Sequence, residues 1–587
     1  MADLVYKAHR DEGGWGIAPP DPSFLVINGD EEVTLQWKVD EKTSVNGQTI
    51  CHSKGVMIRR STEKTPETEL DGELVINSAE LKGSYTDTGL SNGTTYYYKA
   101  FPYSDHYVYN RGASNIGQAA PSHTAKVIII YKAQEAVGGS IEAKKGSLTH
   151  TATVNSQGMA SFELEEVGTW RVGGQKVTVS HLGEMITLNE MLFGYDWTLA
   201  EANTESNITY PAGVDNAEYE GVPVRGADAT IDIGDWQQFH DWLGIRPVML
   251  GFDGEVLQEL NAKNQTLTAT GASSSVADQS VNANAMVEFP KRYFKRWTDE
   301  EGVAHFRASR LKLGADWKCY PWMYGDKEAE AFENDVIYLP MFEGSSISSK
   351  VRSLSGKTPM NTQTGATEWT QIQALGSGWI FDDYCDAAMI IDYMFMMGKS
   401  TDVQAHWGNG HYTGGSQASH LHTTGSLVTY GPYYGGNGNT NMKFMWLENW
   451  IGDRWERTFG VWFINSILYV KDFAPYTVNG DVTNYKNLGR GIGGTSGGYI
   501  SEVTYDEHGM IPKTAAGAQN KYVPDGCWFA NGTNFLLRGA SCLDSFLVGA
   551  AFNVNNPFSN SNWNIGPSPT YRFMEHKPNA LAGPTPL

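Results

Sequence analysis

The chain has 587 residues and a formal charge of −22, from 66 acidic and 44 basic residues. That charge argues against a surface that tracks nucleic-acid phosphates, and a charged fraction of 19% beside 41% hydrophobic residues argues against disorder over most of the length. An aromatic content of 12% and 64 glycines favour loop-rich β domains, and the length suffices for about three to five of them.

The five cysteines, Cys51, Cys319, Cys385, Cys527 and Cys542, are scattered and form no Cys-x-x-Cys pair. Neither a disulfide framework nor a standard zinc site is expected, and assembly in a reducing cytosol is. The opening stretch MADLVYKAHRDEGG is too polar for a secretion signal. The most apolar run, 459–470, is short and interrupted by Asn465 and Ser466, so no membrane insertion is expected.

Residues 1–21 read as an attachment arm, rich in Gly and Pro around Trp15. Residues 22–122 read as short strands between turn residues. Val33-Thr-Leu-Gln-Trp37 alternates, with Trp37 facing inward. The spacing Leu90-x-Asn-Gly-Thr-x-Tyr96 resembles the tyrosine corner of fibronectin type III domains, where the ring hydroxyl bonds back to the chain. Residues 123–190 form a smaller all-β unit, from the run Lys126–Tyr131 to Lys176–Ser180, resembling an immunoglobulin-like or carboxypeptidase-regulatory-like sandwich.

Residues 191–587 lack that strand rhythm and read as one large loop-rich domain. Asp235 is placed to cap a helix over Trp236–Leu243 that Gly244 stops. Asp382 or Asp383 caps a second, running through Met397 with Gly398 after it. Tyr384, Ala388, Ile391 and Phe395 fall on one face of it with Met394 beside them, the stripe of a core helix. Trp446, Trp450, Trp455 and Trp462 are too dense for a surface and are expected to tie long loops to a sheet.

Several polar constellations are candidates for chemistry. His406, His411, His420 and His422 share a Gly/Ser/Thr stretch with no carboxylate or Cys at the spacing of a standard site, which favours a solvated loop, or a loop packed at a subunit contact, over a metal site. Gly489–Gly498 lacks the Gly-Lys-Ser/Thr of a phosphate cradle. Asp382, Asp383 and Asp386 fit a helix start better than a hydrolytic pair. No catalytic residue, resident metal or cofactor is expected.

The C-terminal stretch is the most distinctive. Six of the twelve residues over 553–564 are Asn, after Arg538-Gly-Ala-Ser541 and before Ile565-Gly566. Asn tolerates left-handed backbone and bonds its own main chain, so the run suits a rigid irregular loop. The pattern resembles the variable region of C-type-lectin-fold proteins diversified by retroelements, as in phage tropism determinants. Other blocks are similar to phage tail and minor structural proteins of that fold, in the same order: Arg246–Gly254, Ala285–Phe294, Leu354–Pro359, Gly398–Gln404 with Gly408–Gly410, and Leu447–Trp455. Ala540 departs from the family's Arg-Gly-Gly-Ser step.

The resemblance implies a mostly β fold with some α, in which β-sandwich domains of fibronectin III-like and Ig-like kind precede a large C-type lectin-fold α+β domain with a variable region at about 535–573. It implies a receptor-binding protein of a phage tail tip or fibre, in the virion, that meets a bacterial surface protein or glycan. It further implies a homotrimer held to other tail or baseplate proteins by its N-terminal region. The ligand face it implies comprises Ser541, Cys542, Leu543, Asp544, Phe546, Leu547, Phe558, Pro567, Ser568 and Tyr571. A prophage- or bacterium-encoded adhesin on the same scaffold is the alternative. An enzyme of formylglycine-generating or glycan-cleaving kind ranks lower, because Cys527 and Cys542 do not reproduce the thiol pair of the former.

Overall fold

Alternation decides the first sheet. In the strand Glu32–Lys38, Val33, Leu35 and Trp37 are buried and the residues between them are not. The computed structural model describes residues 8–575 apart from 12–13, 30, 46–47, 113–114, 122–126, 133–137, 157, 174, 181–183, 223–228, 413–414, 416 and 545–548. The protein is mostly β with some α, and it divides into two compact units, Met1–Glu190 and Met191–Leu587.

In the first unit, Glu32–Lys38 lies between Ser23–Asn28 and Lys82–Thr88. A facing sheet runs in the order Ile116–Ala119, Tyr96–Ser104, Gln48–Ser61 and Lys42–Val45, with Glu73–Ser78 also paired to Gln48–Ser61. Both sheets contribute to one core that includes Phe24, Val33, Leu35, Trp37, Ile58 and Tyr98. The Tyr96 hydroxyl accepts the Ser91 N–H at 3.0 Å, which closes the arch expected there. Sheets of three and four strands follow over Val127–Asn189, around Trp170 and Ile130. Near the N-terminus, Ala8–Asp11 and Gly14–Ile17 pair as an antiparallel hairpin.

Two sheets organise the second unit. One has six strands in the order Val256–Glu259, Arg246–Gly251, Ala283–Pro290, Val336–Pro340, Pro569–Tyr571 and Trp379–Phe381. The other has ten, with Trp455–Ile464, Thr533–Arg538, Phe552–Asn556 and Val523–Phe529 adjacent in that order. Trp446, Trp450, Trp455 and Trp462 are all buried, as their density predicts.

Four α-helices occur among the described residues. The first, α1, is Trp236–Leu243, and Gly244 stops it with a left-handed φ of 63°. Asp235 sits at its start but makes no capping hydrogen bond, because its own backbone is already helical. Helix α2, Gly365–Gln373, is capped by the Thr364 hydroxyl. Helix α3 is Tyr384–Gly398, and Asp383 is its cap, accepting the Asp386 N–H at 3.0 Å. It ends one residue later than the glycine signal implies, with Lys399 rather than Gly398 in left-handed backbone. Helix α4 is the short Val403–Trp407.

The single-face reading of α3 is corrected: every residue of it except Ile391 is buried. Apolar periodicity marks one stripe, but α3 lies against sheet strands and loops on all sides, so even Asp386 and Asp392 are enclosed. No helix among the described residues is long and apolar enough to cross a membrane.

Candidate functional site

The segment expected to vary is woven through both sheets. Its strand Thr533–Arg538 pairs antiparallel with Trp455–Ile464 on one side and with Phe552–Asn556 on the other. Ile565–Gly566 then runs parallel to Trp455 and Glu456. Pro569–Tyr571 ends between Val336–Pro340 and Trp379–Phe381 in the other sheet. Among the described residues between these anchors, the chain reaches the surface at a turn after Arg538 and at 557–562.

The first turn begins with Gly539 and Ala540 at φ values of 85° and 64°. Ala540 thus holds a left-handed backbone, a conformation that costs an alanine about 1–2 kcal/mol. The Ser541 hydroxyl donates to Asp544 Oδ2 at 2.5 Å, and Asn564 Nδ2 donates to the same hydroxyl at 3.2 Å. Burial lifts the Asp544 carboxyl above its usual range against these bonds. Leu543 projects outward and is 51% exposed.

In the second turn the Asn side chains bond locally, as expected of such a run. Asn553 Oδ1 accepts the Asn555 N–H at 3.0 Å, and Asn562 Oδ1 accepts the Trp563 N–H at 2.8 Å. Arg457 reaches the Asn560 carbonyl from beneath. Pro557, Ser559, Ser561 and Asn562 are exposed between half-buried neighbours.

These positions correct the expected ligand face. Ser541, Cys542, Pro567, Ser568 and Tyr571 are buried. The Cys542 N–H donates to the Asp453 carbonyl at 2.8 Å. The Pro567 carbonyl accepts from Arg454 at 2.7 Å, and that of Ser568 from the Asp382 N–H at 3.0 Å. The Tyr571 ring packs edge-on against Trp379, 5.2 Å between centroids. Phe558 is half-buried on Phe535, 4.9 Å away. Phe546 and Leu547 lie outside the described residues. Of the ten, Leu543 is well exposed and Asp544 and Phe558 partly so. The missed surface residues are the small polar ones at 557–562, for which the Pro557 turn signal was the available cue.

Below the two turns lies a layer of buried charge. Arg538 reaches Asp382 and stacks on the Trp450 ring 3.5 Å from its centroid. Arg454 meets Glu343 at 3.1 Å and Glu456 at 3.3 Å. Arg457 bonds Glu368 at 2.5 Å. Arg572 clamps Asp386 and, at 3.2 Å, Asp383. The three acids at the start of α3 are therefore sealed and ion-paired, out of reach of a substrate.

Burial pushes the Glu368 carboxyl up to about 7 against the pull of Arg457, and the Asp382 carboxyl up to about 6 against that of Arg538. A folded-state pKa above the unfolded one favours the fold at low pH. The contribution is complete below about 4 and is lost as pH rises through 6 to 7. The second unit is expected to melt at a higher temperature at pH 5.5 than at pH 8, with Glu368→Gln narrowing the gap. Thermal scans at the two pH values, on parent and variant, check this.

The fold separates the four histidines. The His406 ring bonds the Val222 carbonyl at 2.7 Å, and His420 is exposed. His411 and His422 instead stack face to face, with centroids 3.5 Å apart and planes within 7°. His411 Nδ1 lies 2.7 Å from Asp453 Oδ1, which also accepts the His422 N–H at 2.9 Å. The solvated-loop reading is corrected for this pair, because their carboxylate partner comes from a distant block.

All five cysteines are buried, and none forms a disulfide among the described residues. Burial pushes the Cys527 and Cys542 thiols up to about 12, the range of packed rather than reactive thiols. The glycine-rich run contributes Gly493–Gly494 and the start of Gly497–Asp506 to the ten-stranded sheet, with no helix following among the described residues.

No family model matches the chain, and no curated protein matches it. Among solved structures, the group B streptococcus pilus 2b backbone protein is similar at 10% identity, over 29% of this chain and 96% of that one, with a TM-score of 0.10. The Bacillus anthracis TIE protein is similar at 10% identity, over 51% of this chain and 69% of that one, with a TM-score of 0.10. At such scores neither likeness carries an argument about fold or function.

Proposed function

We propose that the chain is a receptor-binding protein of a phage tail tip or fibre, and that its second unit is a C-type lectin-fold domain that recognises a bacterial surface ligand. One observation carries this reading. The C-terminal segment alternates buried framework, at Arg538, Asn553, Asn564 and Tyr571, with exposed tips at Leu543 and at 557–562. Loops anchored in that way can change at their tips without unfolding what holds them. Among the described residues the two tips offer Leu543, Pro557 and the half-buried Phe558 beside several hydroxyl and amide groups, a chemistry suited to a glycan or a polar protein surface.

In this reading the first unit spaces the binding domain from the virion. A homotrimer would raise weak single-site binding to effective attachment. The contact residues are Leu543, Asp544 and Phe558 of the original face, extended to Ser559, Ser561 and Asn562.

The test is direct binding of the fluorescently labelled full chain to a panel of bacterial strains. Saturable binding to a subset of strains is expected. Leu543→Ala combined with Asn562→Ala should weaken it by more than about tenfold, at ~1–3 kcal/mol per dominant contact, while changing stability by about 0.5 kcal/mol or less per site. Binding to no strain, or undiminished binding by the double variant, would count against the reading.

A further inference from the structure

We propose that His411, His422 and Asp453 form a site for a divalent transition-metal ion of the zinc class. Each offers one donor atom, and the three donors lie within 4.8 Å of one another. Two imidazoles and a carboxylate are the ligand types that zinc, cobalt and nickel share, and three protein ligands leave a fourth position open. Tetrahedral ligands about 2.1 Å from one ion stand about 3.4 Å apart, so loading needs the 2.7 Å His411–Asp453 pair to open and any wider pair to close.

A second observation points the same way. Asp453 is fully buried, yet its Oδ2 has no hydrogen-bond partner. Buried carboxylate oxygens are usually paired; the others left over, on Glu343, Glu368, Asp382, Asp386 and Glu456, sit on groups ion-paired to arginine, whereas Asp453 is paired with His411, and a cation at this site supplies what Oδ2 lacks.

The surroundings are those of a held site. The carboxylate of Asp453 only accepts, so His411 Nδ1 carries the shared proton in the metal-free state. The ion takes that proton's place between ring and carboxylate, and the proton leaves to solvent. His422 is oriented by Asn441 Oδ1 at 2.8 Å. That amide is fixed in turn, because Asn441 Nδ2 donates to Glu448 at 2.8 Å. Such outer partners set ligand orientation in metal sites. His422 is half-buried, which gives an ion a way in.

The other cluster of similar residue types, Asp383, Cys385 and Asp386, differs on these points: it is closed off, and Arg572 already neutralises both acids. The histidine site also has a structural consequence. The Asp453 carbonyl accepts the Cys542 N–H, and the Gly452 N–H donates to the Gly539 carbonyl at 2.8 Å. An ion on Asp453 would therefore brace the base of the turn that presents Leu543. The metal site does not depend on that turn binding a receptor.

The experiment titrates chelator-treated full-length protein with zinc chloride alone, in competition with a chromophoric chelator, and follows melting temperature in parallel. One ion per chain and a raised melting temperature are expected. His411→Ala and His422→Ala should each weaken binding more than about tenfold and abolish the thermal shift, while the exposed His420→Ala changes neither. Cobalt on the parent protein should give the visible absorption of a tetrahedral site. This reading needs no variant, and it decides the matter if His411→Ala fails to fold. Absence of stoichiometric zinc binding, full binding by His422→Ala, or an octahedral cobalt spectrum would overturn the proposal.

Discussion

Arg538→Ala is expected to cost the second unit about 3–5 kcal/mol, the range for removing one partner of a buried ion pair. Arg538 is 7% exposed, and it does three things at once. Its Nε meets the fully buried Asp382 carboxylate, its Nη1 donates to the Trp450 carbonyl at 3.1 Å, and its guanidinium covers the Trp450 ring. Without it Asp382 has no counter-charge, and its Oδ1 already lacks a partner. Protonation offers an escape, since burial has lifted that carboxyl to about 6 even beside Arg538. The loss should therefore be smaller at pH 5 than at pH 8. Arg538→Lys keeps the charge but not the planar stack or the fork of donors, and should fall between. Urea melts of the full chain at the two pH values, with tryptophan fluorescence reporting the second unit, check all three outcomes. A loss below about 1 kcal/mol at pH 8, as for an exposed pair, would mean that the charge layer does not carry the turn.

Phe535→Ala is expected to cost about 3–5 kcal/mol by opening a cavity. The ring is buried where the two sheets share a core, 5.0 Å from Trp462, 4.9 Å from Phe558 and 5.8 Å from Phe459 between centroids. Phe558 is the packed end of the Asn-rich turn, so the cavity also removes the wall against which that turn rests. Phe535→Leu refills part of the volume and should lose less than half as much. The same melts measure stability, and hydrogen exchange at 557–562 reports the turn. Loss of stability with unchanged exchange would show that the turn is held by Arg457 and its own amides rather than by Phe558.

Both substitutions fall in or beside the segment that reads as variable, and both should behave as core changes. Leu543, only a few residues from Arg538, should behave as surface. That contrast was not legible from composition. Ser541, Cys542, Ser568 and Tyr571 are of residue types that suit a binding loop, and nothing in their spacing distinguishes them from Leu543. The distinction arises because the chain leaves the sheet after Arg538, re-enters it at Phe552, leaves again after Asn556 and returns at Ile565. The Asn-rich run was legible as a self-bonding loop because its hydrogen bonds join residues one to four apart.

The sequence by itself determined what local physics controls. Strand alternation put Val33, Leu35 and Trp37 inside, and the Leu90–Tyr96 spacing closed its arch. The Gly244 stop, a cap at Asp382 or Asp383 and the burial of most of four closely spaced tryptophans were also readable there. Each rests on neighbours within a turn, a strand or a short run. Only the tertiary structure decided the rest. Arg538 meets Asp382 across 156 positions, and Arg572 meets Asp386 across 186. Asp453 reaches His411 across 42. Such pairs depend on sheet register and loop path, which periodicity does not encode. A buried charge is tolerated only where those paths bring its partner, so the partners, the exposed tips and the histidine cluster emerge only once the whole second unit has folded.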